Sequence, residues 1–179
     1  MENLEGVLPA IKRFKDFDHA MESKSTYVIF LDSRISQIGD LVKVVKEHNK
    51  KALVHVDLVR GLKADEYGME FLLHEAKVDG VISTRTNVIT VAKKHKILAI
   101  QRLFLLDSHA MESNLKLIDQ IRPDYLEVLP GIAPKIIRDV KRKTSIPIIA
   151  GGLIQDKTDI QNALNAGAIA VSTSLKKLW

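Results

Sequence analysis

The stretch IPIIAGGLIQDKTDIQNALNAGAIAVSTS (146–174) holds the pattern from which the rest of the chain is read. PIIAG (147–151) is a run of β-formers closed by two glycines, KTDIQNALNAG carries helix formers and ends on glycine, and AIAVST (168–173) is a second β-forming run. A strand, a helix and a strand in so short a span make a βαβ unit, whose two strands lie parallel.

Outward from this unit the same alternation recurs. Six further β-rich runs precede it: VLPAI (7–11), YVIFLD (27–32), ALVHVDL (52–58), GVIS (80–83), LAIQRLF (98–104) and YLEVL (125–129). Segments with helical spacing separate them; in LVKVVKEH, Leu41, Val44 and Val45 follow the i, i+3, i+4 rule. Eight such repeats predict an α/β chain folded as one compact TIM-like (β/α)8 barrel over residues 1–179. Barrels of this kind usually run to about 250 residues, so short helices and a truncated last helix are expected. An open doubly wound sheet is the alternative, because periodicity does not encode closure.

Composition narrows the function. Hydrophobic residues make up 46% and charged residues 27% of the 179, as in an ordinary globular protein. The absence of cysteine excludes disulfides, thiolate zinc sites and a cysteine nucleophile, and fits a cytoplasmic location. The N-terminal segment lacks a signal pattern, and no apolar run approaches the roughly 20 residues of a membrane helix. A net charge of +5 permits attraction to a polyanion, while an aromatic content of 5% argues against a base-stacking platform.

In a parallel barrel the strands' C-terminal ends gather on one face, where ligands bind. Polar residues at those ends are therefore the candidates. Asp32 closes YVIFLD; in VHVDLV, period-two alternation places His55 and Asp57 on one face, pointing together into the barrel; Gln101 and Arg102 follow LAI; Glu127 interrupts YLEVL; Lys12 follows the first run. Each has a plain structural counterpart: Asp32 as a turn residue, His55 as an interior histidine, Arg102 as an ion-pair partner of Asp57 or Glu127, Lys12 as a solvated side chain. Asp57 and Glu127 are hardest to explain that way, since a carboxylate inside an apolar strand costs several kcal/mol unless paired.

The loops after strands seven and eight commonly form a phosphate site in these barrels. Gly151, Gly152, Thr173 and Ser174 occupy that place, a tight turn being the simpler use of the glycines. Arg60 and Lys63 in VRGLKADEYG (59–68), and Ser83, Thr84 and Arg85 in STRTN (83–87), belong to loops on the same face, with Asn87 expected as a helix cap. No HExxH, DxDxDG, P-loop, G-x-S-x-G or G-x-G-x-x-G pattern occurs, so neither a metal nor a cofactor is expected.

VLPAIK, HVDLVRGLKADEYG, VISTRTNVIT, AIQRLFLLD, YLEVLPGIAPKII, IPIIAGGLI and AGAIAVSTS together closely resemble the bacterial glycerol 3-phosphate responsive antiterminator family, from Leu8 to Trp179. The resemblance implies a regulator that is not an enzyme. It would sense glycerol 3-phosphate and act on the leader mRNA of glycerol-metabolism genes so that transcription passes a terminator. It gives Gly151, Gly152, Thr173 and Ser174 to the effector's phosphate, and His55, Asp57, Gln101, Arg102 and Glu127 to its glycerol hydroxyls. No RNA-recognition consensus is visible, which leaves Lys93, Lys94 and Lys96 and Lys141, Arg142 and Lys143 as basic clusters for RNA. A homo-oligomer is allowed. The competing reading is a barrel enzyme, a lyase, isomerase or prenyltransferase, acting on a small phosphorylated polyol.

Overall fold

A computed structural model describes residues 4–105 and 107–179. Eight parallel strands form a closed barrel: β1 (Gly6–Ile11), β2 (Tyr27–Phe30), β3 (Lys51–His55), β4 (Gly80–Ser83), β5 (Leu98–Phe104), β6 (Tyr125–Leu129), β7 (Ile148–Gly151) and β8 (Ala170–Thr173). Each pairs with its neighbours in sequence, and β1 pairs with β8 from Gly6 opposite Ala170 to Pro9 opposite Thr173. That last ladder leaves no open edge and excludes the doubly wound sheet.

The outer layer is α1 (Phe17–Glu22), α2 (Ile35–Glu47), α3 (Glu66–Glu70, continuing into a π-helical turn at Phe71–Glu75), α4 (Thr86–Lys94), α5 (Ser108–Ile121), α6 (Pro134–Lys143) and α7 (Lys157–Asn165). After β8 there follows a single 3-10 turn, Lys176–Leu178. Asp65, Asp107 and Asp156 cap α3, α5 and α7 by accepting from the backbone N–H of Gly68, Ala110 and Asp159.

Strand alternation divides the core in two. Outward residues such as Val28, Ala52, Val54 and Val81 pack with Ile38, Val42 and Val45 of α2 and with the neighbouring helices. The buried stripe of α2 is thus centred on Ile38, Val42 and Val45, with Leu41 and Val44 at its margin. Inward residues Leu8, Tyr27, Leu53, Ile82, Leu98, Ile149 and Ala170 fill the barrel itself. Full burial contributes about 2 kcal/mol for each such leucine or isoleucine.

Two local expectations are corrected. The strand expected to run to Leu58 stops at His55, and Asp57 belongs to a 3-10 turn, Val56–Leu58. The next two residues, Val59–Arg60, pair instead with Ser33–Arg34. Asn87 lies inside α4, whose cap position is Arg85.

Candidate ligand-binding site

The barrel interior changes character toward the C-terminal ends of its strands. Two residues beyond the apolar Leu53, Ile100, Tyr125 and Ala170 come His55, Arg102, Glu127 and Ser172, all of the same strand parity. Arg102 and Glu127 are register partners on β5 and β6. Arg102 Nε donates to Glu127 Oε2 at 2.6 Å, and Ser172 Oγ donates to Glu127 Oε1 at 2.7 Å. Glu127 is 1% exposed, a position an ionised carboxylate tolerates because both oxygens accept charged or hydroxyl donors. Gly151 is the inward residue of β7 at this level. A Cβ there would lie 2.7 Å from Ser172 Oγ and 2.8 Å from Glu127 Oε1, so its missing side chain makes the room in which this pair meets.

His55 is buried in the same layer, and neither of its ring nitrogens has a hydrogen-bond partner among the described residues. Its Nδ1 is 3.8 Å from Asp57 Oδ2, too far for a hydrogen bond. Burial, reinforced by the positive charge of Arg102, lowers its pKa to about 4 against the opposing pull of Glu127 and Asp57. His55 is therefore neutral at pH 7.

Asp57, although outside the strand, still meets His55 across the mouth of the barrel. It accepts from Ser83 Oγ at 3.0 Å and from the Thr84 N–H at 2.9 Å, and pairs with Arg85 Nε at 3.3 Å. One carboxylate thus ties the loop after β3 to the loop after β4. Gln101 has the opposite parity to Arg102; its Nε2 donates to the carbonyls of Ser83, Thr84 and Arg102, and its Oε1 has no partner among the described residues.

Above this layer opens a cleft of about 900 Å³. Lys12, Asp32, Asp57, Arg60, Arg102, Gly152, Thr173 and Ser174 line it, joined by Ser172, Lys177 and the apolar Leu58, Leu153 and Leu175. Arg60 Nη2 donates to Asp32 Oδ2 at 2.8 Å across the rim. Gly152 at φ +81° and Leu153 at φ +63° turn the chain sharply after β7. Thr173 spends its polar atoms on the turn after β8: Oγ1 accepts from the Leu175 N–H and its carbonyl accepts from Trp179 Nε1.

Of the residues expected here, His55, Gln101, Glu127 and Gly151 lie beneath or behind the cleft wall, and Lys63 points to Asp65 at 3.4 Å instead. The basic clusters are at the far end of the barrel: Lys93 and Lys94 close α4 beside Asp124, and Lys141, Arg142 and Lys143 close α6. Ser172 was missed, although its parity with Ala170 in AIAVST places it inward. Lys177 and Leu153 were missed because loop side chains carry no periodic signal. Among the described residues no cluster of three or more His, Asp or Glu has the geometry of a metal site. No helix is long and apolar enough to cross a membrane among those residues.

Fold and site define a small (β/α)8 barrel with a charged, buried layer beneath a single-ended ligand cleft. Residues 7–179 match the family model described as glycerol-3-phosphate responsive antiterminator, and the chain belongs to that family. It is similar to the glycerol uptake operon antiterminator regulatory protein of Listeria monocytogenes str. 4b F2365, with 44% identity and a TM-score of 0.94, covering 99% of this chain and 96% of that one. A glycerol uptake operon antiterminator-related protein of Thermotoga maritima MSB8 is 31% identical with a TM-score of 0.87, covering 99% of both chains. The uncharacterized protein YgcP of Escherichia coli (strain K12) is 36% identical over 173 residues, 97% of this chain and 91% of that one. Family and structural likeness indicate an antiterminator-type regulator.

Proposed function

We propose that the cleft senses glycerol 3-phosphate, and that the loaded protein acts on the leader mRNA of glycerol-metabolism genes in the cytoplasm to prevent termination. The observation that carries the ligand reading is the state of Arg102. Its Nε is fixed by Glu127, while its two terminal nitrogens make no hydrogen bond among the described residues and the side chain lines the cleft. A guanidinium held this way presents pre-oriented N–H donors to the oxygens of a small ligand in the cleft.

In this reading the phosphate lies against Gly152 and Ser174, beside Thr173, with Lys12 and Lys177 supplying further positive charge. Gly151 contributes the space behind them. Arg102 and Asp57 face the glycerol hydroxyls; His55, neutral at pH 7, offers one nitrogen donor and one acceptor from below. No metal or cofactor takes part. The effector acts by favouring one arrangement of the loops over the other, which requires differential affinity for the two.

Calorimetry with glycerol 3-phosphate, glycerol and inorganic phosphate tests the site. Binding of the first at least tenfold tighter than either fragment, lost in Arg102→Met, is expected; equal affinity for inorganic phosphate would remove the glycerol assignments. The regulatory half is tested by leader-RNA affinity at fixed salt, with and without the effector. A barrel enzyme remains the second reading, favoured by the uncharged His55 beside Asp57, an acid–base arrangement. Chemical conversion of glycerol 3-phosphate by the purified protein would establish it.

A further inference from the structure

Lys12-Arg13-Phe14-Lys15 follows β1 at the mouth of the barrel. Phe14 is 76% exposed, yet its ring is not loose. It stacks on Phe17 with ring centroids 6.0 Å apart and 19° between planes, and Phe17 stacks in turn on Phe30 at 6.2 Å. Phe17 and Phe30 are buried, so the core holds one face of Phe14 from behind while much of the ring remains in water. Solvating most of a phenylalanine forgoes part of the burial free energy such a ring would otherwise supply.

The surrounding charge is mainly positive, with Asp18 an exposed acidic residue on the helix that follows. Arg13 is committed to the buried Asp16 at 2.9 Å. Lys12, Lys15, Lys176 and Lys177 form no ion pair among the described residues, and all four are exposed. Because β8 and β1 are adjacent, the turn carrying Lys176 flanks the Phe14 loop. The contact is direct: His19 Nε2, on the helix that follows Phe14, lies 3.1 Å from the Lys176 carbonyl oxygen, and His19 packs against the Trp179 ring.

We infer that this part of the mouth, with Phe14 as a stacking platform and Lys15 and Lys176 as phosphate contacts, is the surface that holds single-stranded RNA. The inference rests on the regulatory reading above and names the surface through which it acts. A rigid ring set among unpaired cations matches a strand in which flat bases alternate with phosphates, and requires no sequence-specific pocket. An apolar protein partner would leave those cations without counter-charge. The basic residues at the other end of the barrel lack such a ring: Lys93 is bound to Asp124 and Arg142 is near Asp139, while Lys94, Lys96, Lys141 and Lys143 stand on segments without Phe, Tyr or Trp. Lys12 and Lys177, next to this surface in sequence, line the ligand cleft, so the RNA surface borders the effector site.

The test uses the full chain and a fluorescein-labelled transcript of a glycerol-operon leader, titrated at fixed salt with saturating glycerol 3-phosphate. Phe14→Ala weakens RNA binding about 10-fold, in line with the loss of one stacked base. Lys15→Glu with Lys176→Glu weakens it further and flattens its salt dependence by about 1.4 in logarithmic slope, the share of two single-strand phosphate contacts. Both variants keep wild-type glycerol 3-phosphate affinity by calorimetry, which shows that they are folded. Lys141→Glu with Lys143→Glu leaves RNA affinity within about twofold on the same basis, since those residues lie outside the surface. Wild-type binding that the Phe14 and lysine changes do not alter overturns the surface while sparing the regulatory reading. Failure of the wild type to bind RNA with effector bound overturns both. Unchanged RNA affinity with an altered sedimentation coefficient would identify the face as a protein contact instead.

Discussion

Ser172 Oγ and Arg102 Nε reach Glu127 from opposite sides of the barrel's interior, one on each carboxylate oxygen, at 2.7 and 2.6 Å. β8 and β5 are thereby joined through β6, and the orientation of the arginine is set before any ligand arrives. That preorganisation is what a selective small-anion site needs.

Glu127→Gln should therefore act on stability and binding together. It leaves the largely buried Arg102 without its counter-charge, a loss on the order of 3 kcal/mol in urea unfolding, since removal of one partner strands the other. Glycerol 3-phosphate affinity should fall at least tenfold by calorimetry. An unchanged affinity would separate Glu127 from the ligand site.

Acid should destabilise the protein through His55. Its folded-state pKa, about 4, lies below the ordinary 6.5, so the unfolded chain binds the additional proton. Stability is fully present above pH 6.5 and is lost as pH falls from there toward 4, by about 3 kcal/mol in all. Urea midpoints between pH 7 and 4.5 measure the slope, and His55→Gln should flatten it. A histidine variant with the wild-type slope would assign the acid sensitivity to other groups.

Gly151→Ala and Gly152→Ala should differ in kind. The first drives a methyl into Glu127 and Ser172 and should cost about 2 kcal/mol, with loss of effector binding. The second meets positive-φ strain and the Leu129 side chain, costing about 1 kcal/mol. Thermal unfolding paired with calorimetry distinguishes them.

Asp57→Asn should loosen the loop after β4 more than it unfolds the barrel. Thr84 loses a charge-assisted acceptor for its N–H, and its amide should exchange at least tenfold faster. Wild-type protection at Thr84 would show that the Ser83 and Gln101 contacts suffice to hold the loop.

The barrel was legible because each parallel strand is buried on both faces and reads as an apolar run, while each helix carries a stripe. Glu127 and Arg102 stood out for the same reason: charge within such runs demands a partner, and the one-step register between β5 and β6 supplies it. The turn at Val56–Leu58 was hidden, because VHVDL alternates perfectly well as a strand until the Val59–Arg60 bridge to Ser33–Arg34 draws it away. Gly151 was read as an approach for phosphate, whereas its near contacts are Ser172 and Glu127, residues remote in sequence. The exposed Phe14 carried no signal, since a single ring in a short loop resembles any other core phenylalanine until exposure is known.

The lower half of the barrel is solid. Leu8, Tyr27, Leu53, Leu98 and Ile149 fill it, so a molecule seated beside Arg102 arrives and departs through the same doorway. A strand of RNA lying across that doorway would be a stopper as well as a target: the effector's escape would wait on the RNA's departure. The regulator would then retain its signal for as long as the message it governs stays in place, and forget it afterwards.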